Sequence, residues 1–257
     1  MDSSDDKVRV PEKDPSERSR PIRLGGSMLG TPCHLCAFFN SHDDEYRVPL
    51  PFIKDGLETG EKAVHTVDPQ RRDEHLRRLA SGGIDVAAVR DSGQFELRSW
   101  TDTHLREGHF DQRRTLALFE AIVKDSKERG FPLIRFVTHM EWALENRPRV
   151  DDLLEYEARA NDIWLRQDGP VNPVICTYDL SKFGGEIVVD VMRTHPMIII
   201  GGILQENSFF VPPDEGNRRT RLVSAQTESR ALDSRDLKYP KVSVSKLKEL
   251  AAAKRTL

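Results

Sequence analysis

Cys33, His34 and Cys36 place two thiols and an imidazole within four residues, in the stretch Thr-Pro-Cys-His-Leu-Cys. Such a set can serve as a redox dithiol, as part of a zinc site, or as soft and polar contacts in a small-molecule pocket. A redox Cys-x-x-Cys needs one thiolate at a helix N-terminus, which lowers its pKa. Here the run HLCAFF, residues 34–39, reads as a strand, and a helical pattern begins only after Asn40 and Ser41. In a strand, residues three apart face opposite ways, so Cys33 and Cys36 cannot meet, whereas His34 and Cys36 share a face. Cys33 then reads as a small buried residue. A structural zinc site usually pairs one such motif with a second, and the sequence offers none. A composite metal site from His34, Cys36, Cys176 and His195 is the alternative; the leading reading assigns no metal and no cofactor.

Further candidates lie downstream. The helical pattern over 150–166 has an inward stripe of Leu153, Leu154, Glu157, Asn161 and Trp164, so a carboxylate and an amide share a face with large apolar groups. Either that face lies at a solvated rim, or Glu157 and Asn161 line a polar site with Arg135 as counter-charge, because a buried carboxylate is costly without a partner. Glu141, Cys176, Tyr178 and Asp179 fall near the carboxyl ends of two strands, where open α/β sheets bind their ligands. His195, just before Pro196, sits at a helix C-terminus, where it either caps the helix or contacts a ligand.

The elements that must position these groups alternate between short apolar runs and helical patterns, which implies crossover units and a mainly parallel sheet. Strands are expected at 34–39, KAVHTVD, LIRFVTHM and PVICTYD, with a closing strand or hairpin from MIIIGGIL and SFFV. Helices are expected over 43–59 with an interruption at Pro49 and Pro51, over PQRRDEHLRRLASGG, from Phe110 to Gly130, over 150–166, and over GEIVVDVMRTH. Residues 84–100 read either as a strand pair or as a helical turn followed by a strand. GLETGEK, residues 56–62, resembles a phosphate loop superficially but lacks the Ser or Thr after Lys62, and GGSMLGT at 25–31 lacks the lysine.

Lys and Arg number 39 against 42 Asp and Glu, a net charge of -3, so no long-range field draws the chain to nucleic acid or an anionic membrane. Charged residues make up 32% and hydrophobic ones only 37%, which points to polar ends diluting an ordinary core. Residues 1–30 and 213–257 are expected to be disordered tails around a folded domain at 31–212, with SKLKELAAAKRTL as a short helix or a solvated end. Three cysteines in 257 residues argue against a disulfide framework and for a cytoplasmic protein.

HLCAFF (34–39), Glu45, PFIKDGLETGE (51–61), GHFD (108–111), EWA (141–143), YEARAN (156–161), CTYD (176–179) and HP (195–196), in this order, resemble the MEDS domain. That is the sensory domain of methanogens and methylotrophs named for the dichloromethane-responsive regulator. The resemblance implies a three-layer RecA/KaiC-like α/β fold without a phosphate loop, and a sensor of small molecules such as hydrocarbon derivatives. It implies His34 and Cys36 in place of phosphate-binding groups at the mouth of the sheet, facing a ligand. Glu45, Arg135, Glu141, Glu157, Asn161, Cys176, Tyr178, Asp179 and His195 would complete the pocket, with Trp142 as an apolar wall. Residues 213–257 are too short and polar for a helix-turn-helix or kinase-type module, so output is expected through a protein partner or the tail, without direct contact to nucleic acid or membrane. The rivals are a thiol- or metal-dependent enzyme using Cys36 and His34, and a degenerate nucleotide binder.

Overall fold

The computed structural model describes residues 21–30, 33–145, 150–165 and 171–212; the expected C-terminal tail and its short helix, like residues 1–20, lie outside them. The first elements are β1 (Ile22–Leu24) and β2 (Ser27–Leu29), an antiparallel hairpin. Here the structure departs from the expected tail over 1–30. Ile22 and Leu24 are buried in the cluster containing Leu35, Phe52 and Leu204. Three residues are too few to register as a strand by periodicity; the hairpin exists because a distant part of the chain covers its apolar side.

The remaining elements are β3 (His34–Phe39), α1 (His42–Arg47), α2 (Pro49–Glu58), β4 (Lys62–Val67), α3 (Arg72–Ser81), α4 (Val86–Asp91) and β5 (Phe95–Ser99). After them come α5 (Gln112–Glu128), β6 (Ile134–His139), α6 (Trp142–Glu145), α7 (Val150–Leu165), β7 (Val174–Asp179), α8 (Gly185–Thr194), β8 (Met197–Ile200) and β9 (Ile203–Glu206). Local chemistry sets these boundaries. The Ser41 side chain accepts from the Asp44 amide at 3.2 Å to start α1, and Pro49 opens α2 as a separate helix. Gly60, at φ 81, ends α2 in the left-handed region. Asp85 caps α4 at 3.0 Å, which resolves the ambiguous 84–100 stretch as helix then strand. Lys62 is not a phosphate-loop lysine: it enters β4 buried and paired with Glu96 at 2.9 Å. The expected closing hairpin forms from MIIIGGIL as β8 and β9, while SFFV does not extend it: residues 208–209 make a turn after Asn207.

One sheet carries seven strands in the order β5-β4-β6-β7-β3-β8-β9. All neighbours are parallel except β8 and β9. The three-layer, mainly parallel α/β fold is as the sequence predicts. Alternation along the buried strands divides the core in two. Cys36, Phe38, Phe136, Cys176 and Tyr178 face the side covered by α5, α7 and α8. Leu35, Ala37, Val137 and Ile175 face α2 and α3. Among the described residues no helix is long and apolar enough to cross a membrane.

Candidate functional site

Four chemically active groups converge between β3, β7 and the helices α7 and α8. His34 opens β3, Cys176 lies in β7 directly across from Cys36, Glu157 comes from α7, and His195 is the C-cap of α8. All four are buried. His34 Nε2 lies 3.4 Å from Glu157 Oε2 and 3.4 Å from Cys176 Sγ. His195 Nε2 lies 3.3 Å from the same carboxylate oxygen, and Cys176 Sγ lies 3.9 Å from it. The imidazole rings of His34 and His195 sit 4.3 Å apart. Glu157 Oε1 accepts from the Tyr178 hydroxyl at 2.9 Å.

The outer faces of both imidazoles are fixed. The Asn161 amide nitrogen donates to the Glu157 carbonyl at 3.2 Å and the Thr194 carbonyl at 2.6 Å. That orientation leaves Asn161 Oδ1 to accept from His34 Nδ1 at 3.0 Å. His195 Nδ1 donates to the Val191 carbonyl at 2.9 Å, satisfying an orphan carbonyl of α8. The capping reading of His195 therefore holds at Nδ1, while its Nε2 faces Glu157. With both Nδ1 atoms committed as donors, both Nε2 atoms point into the cluster. Burial, together with the charge on His195, holds the His34 pKa below its usual value. For His195 burial pulls downward, but the Cys36 sulfur and the Glu157 carboxylate beside it raise the pKa well above normal. Glu157 responds in kind: burial pushes its carboxyl up, the imidazoles of His195 and His34 pull it further down, and it stays ionised. Burial foremost, then Glu157, pushes the Cys176 thiol up to about 12. Beside His34, Glu157 and Cys176 lies a cavity of about 10 Å³ walled by Phe119, Phe136, Tyr156 and Trp164.

Of the residues singled out in the sequence, His34, Cys36, Glu157, Asn161, Cys176, Tyr178 and His195 come together on this face. Cys36 is buried beside the cluster, its sulfur 4.0 Å from the Met197 carbonyl, but it is not among the groups that could share a metal ion. Those are His34, Glu157, Cys176 and His195, whose donor atoms all lie within 4.8 Å of one another. Glu157 thus stands where the composite metal site had Cys36. The expected position at the mouth of the sheet is also corrected: His34 is the first residue of β3, and a chain leaves a parallel sheet's mouth at the strand's last residue, Phe39.

Arg135 is not the counter-charge of Glu157. It projects to the opposite face of the sheet, where it bonds Glu61 at 2.5 Å, Asp55 at 2.9 Å and the Phe52 carbonyl. The absence of a side chain at Gly56 lets its guanidinium lie against α2. Glu45, Glu141 and Asp179 occupy the carboxyl edge, apart from the cluster. Glu45 meets Arg71 at 3.3 Å, His139 at 3.1 Å and the Thr177 hydroxyl at 3.0 Å, while Asp179 lies 3.9 Å from His42. Trp142 stacks on His104 at 4.5 Å, and Tyr156 stands between it and the cavity. Sequence reasoning passed over Arg71, His75, His104 and His139. Only His139 carried a signal, a polar residue at the end of a strand buried on both faces; Arg71, His75 and His104 lie in helix or turn, where a polar residue is ordinary.

Residues 33–196 match the family model of MEDS, the methanogen/methylotroph DcmR sensory domain. The transcriptional repressor DcmR of Methylorubrum extorquens is 21% identical over 184 residues, 71% of this chain and 65% of the repressor. The chain thus spans about 65% of the length of that curated relative. A KaiC-like protein of Pyrococcus horikoshii OT3 aligns at a TM-score of 0.44 and 16% identity over 69% of this chain and 71% of that one. The family match runs from the residue before His34 to the residue after His195, so both imidazoles of the buried cluster fall inside it, and the chain belongs to the MEDS family of sensory domains.

Proposed function

We propose that this domain is a non-catalytic sensor inside a bacterial or archaeal cell, one that binds a small molecule at the His34–Glu157–Cys176–His195 cluster and passes the signal to a protein partner in transcriptional regulation. The observation that carries this reading is the complete burial of Glu157 and its partners between the sheet and two helices. A close-packed interior has no slack, so occupancy of this cluster must shift α7 or α8, and a ligand that prefers the shifted arrangement changes its population. The aromatic lining of Phe119, Phe136, Tyr156 and Trp164 beside polar donors is chemically suited to a small, largely apolar molecule such as a hydrocarbon derivative, which the cavity of about 10 Å³ admits only when α7 or α8 moves outward. α8 presents Val189 to solvent, a point at which a partner can read its displacement.

Catalysis through the thiol finds less support. Cys176, His34 and Asn161 line up as nucleophile, base and orienting amide, at 3.4 and 3.0 Å. A thiol pushed up to about 12 by burial carries almost no thiolate at neutral pH, the opposite of an activated nucleophile. The test is tryptophan emission of the full chain against a panel of one- to four-carbon hydrocarbon derivatives. A saturable change that disappears in Trp164→Phe, with the compound recovered unaltered, is expected. Consumption of the compound at a rate abolished by Cys176→Ala would overturn the sensory reading.

A further inference from the structure

We infer that His34 Nε2, His195 Nε2, Cys176 Sγ and Glu157 Oε2 form a four-coordinate site for one divalent cation of the zinc and cobalt class; this deepens the sensory reading and rests on it for the claim that occupancy is a signal. Around a tetrahedral ion with metal–nitrogen and metal–oxygen bonds of about 2.0 Å and a metal–sulfur bond of about 2.3 Å, nitrogen and oxygen donors stand roughly 3.3 Å apart, and sulfur stands roughly 3.6 Å from each. The two imidazole–carboxylate separations are 3.4 and 3.3 Å, and the sulfur lies 3.4 Å from His34 and 3.9 Å from Glu157. Four of the six donor separations are thus close to the edges of the required polyhedron, and all four donors lie within 4.8 Å of one another.

Three further observations point the same way. Both imidazoles donate Nδ1–H to an amide or backbone oxygen, the arrangement that fixes a metal-ligating histidine with Nε2 toward the ion. His195 Nε2 is buried and faces Glu157 at 3.3 Å without a well-aligned hydrogen bond. A single proton bridges only one of the two imidazole–carboxylate contacts, whereas one cation engages all four donors. Two imidazoles, a thiolate and a carboxylate suit zinc and cobalt rather than magnesium or calcium, which favour all-oxygen sites. The charges also close: a dication neutralises one carboxylate and one thiolate, with the thiol proton and any proton on His195 released to solvent.

The full chain, purified without chelators, is assayed for bound metal, then stripped and titrated with Co²⁺. Uptake of one equivalent is expected, with tetrahedral cobalt absorption and a thiolate-to-cobalt band in the near ultraviolet. Cys176→Ser should lose that band and bind at least tenfold more weakly, while Cys33→Ser keeps both. X-ray absorption of the zinc-loaded native chain reads the same site without substitution, as one sulfur at about 2.3 Å and three lighter donors at about 2.0 Å. Stripped protein that stays folded and takes up no cobalt overturns the site, as does a charge-transfer band that survives in Cys176→Ser. Metal-free protein that still responds to the hydrocarbon panel, having failed to bind cobalt, removes the ion and leaves the sensory reading intact. A bound ion that alters neither Trp164 emission nor amide exchange in α7 keeps the site and overturns its role as a signal.

Discussion

Asn161 does for His34 what the Val191 carbonyl does for His195: it fixes which nitrogen carries the proton and where the other one points. Asn161→Ala is therefore expected to weaken cobalt uptake by about 10–100-fold, the usual cost of removing an outer partner of a metal ligand. Asn161→Asp, which keeps an acceptor, should recover part of it; equal uptake by all three proteins would show that the amide is only a packing residue. Glu141 makes a different case. Burial, then the neighbouring Glu45 charge, raise its pKa from the ordinary 4.5 to about 7, with Lys182 and Arg71 acting against them. Between pH 4.5 and 7 the unfolded chain gives up this proton and the folded chain keeps it, so stability present below pH 4.5 falls as pH rises through the window. The loss is on the order of 3 kcal/mol. Glu141→Gln should melt higher than the parent at pH 8 and alike at pH 4.5, and a pH-independent difference would rule out this titration. Among the residues of the centre, Glu157 and Asn161 were legible as polar groups on an apolar helical stripe, and His34 with Cys36 as same-face neighbours in a strand. Arg135 was not assignable. All six residues of β6 are buried, and when both faces of a strand are covered nothing in its sequence says which parity meets which helix.

Among the elements, the long helices and central strands follow directly from apolar periodicity, helped by caps such as Ser41 and Asp111. The hairpin of β1 and β2 does not, because its two inward residues Ile22 and Leu24 carry no period of their own. Its position is set by tertiary contact: the Leu204 amide donates to the Gly25 carbonyl at 3.4 Å, and Leu24 packs in the cluster with Phe52. A chain trimmed to begin at residue 31, the boundary suggested by composition, would uncover that apolar surface. Leu24→Ala should accordingly cost about 2–5 kcal/mol, the range for a fully buried leucine, read as a shift in the urea midpoint with an unchanged slope. A loss below about 0.5 kcal/mol, the range for an exposed position, would mean that the hairpin is detached in solution.

At the scale of the whole molecule, the cluster draws one group from each of four elements spread along most of the folded chain: His34 at the start of β3, Glu157 in α7, Cys176 in β7 and His195 after α8. The unfolded chain cannot hold these four donors together, so an ion bound there acts as a cross-link between the sheet and two helices of one face. Any species that binds only the folded state stabilises it by mass action, and free ion at 100 times its Kd contributes about 2.7 kcal/mol. For a domain of this size each kcal/mol moves Tm by roughly 2–4 °C, so saturating Co²⁺ should raise Tm of the stripped full chain by about 5–11 °C. The increment should vanish in Cys176→Ser and persist in Cys33→Ser, which rules out adventitious binding to surface groups. The gain should also rise between pH 6 and pH 8, because the ion displaces protons from its ligands. A Tm that ignores cobalt at both pH values would show that the four groups are held by one another and not by a shared cation.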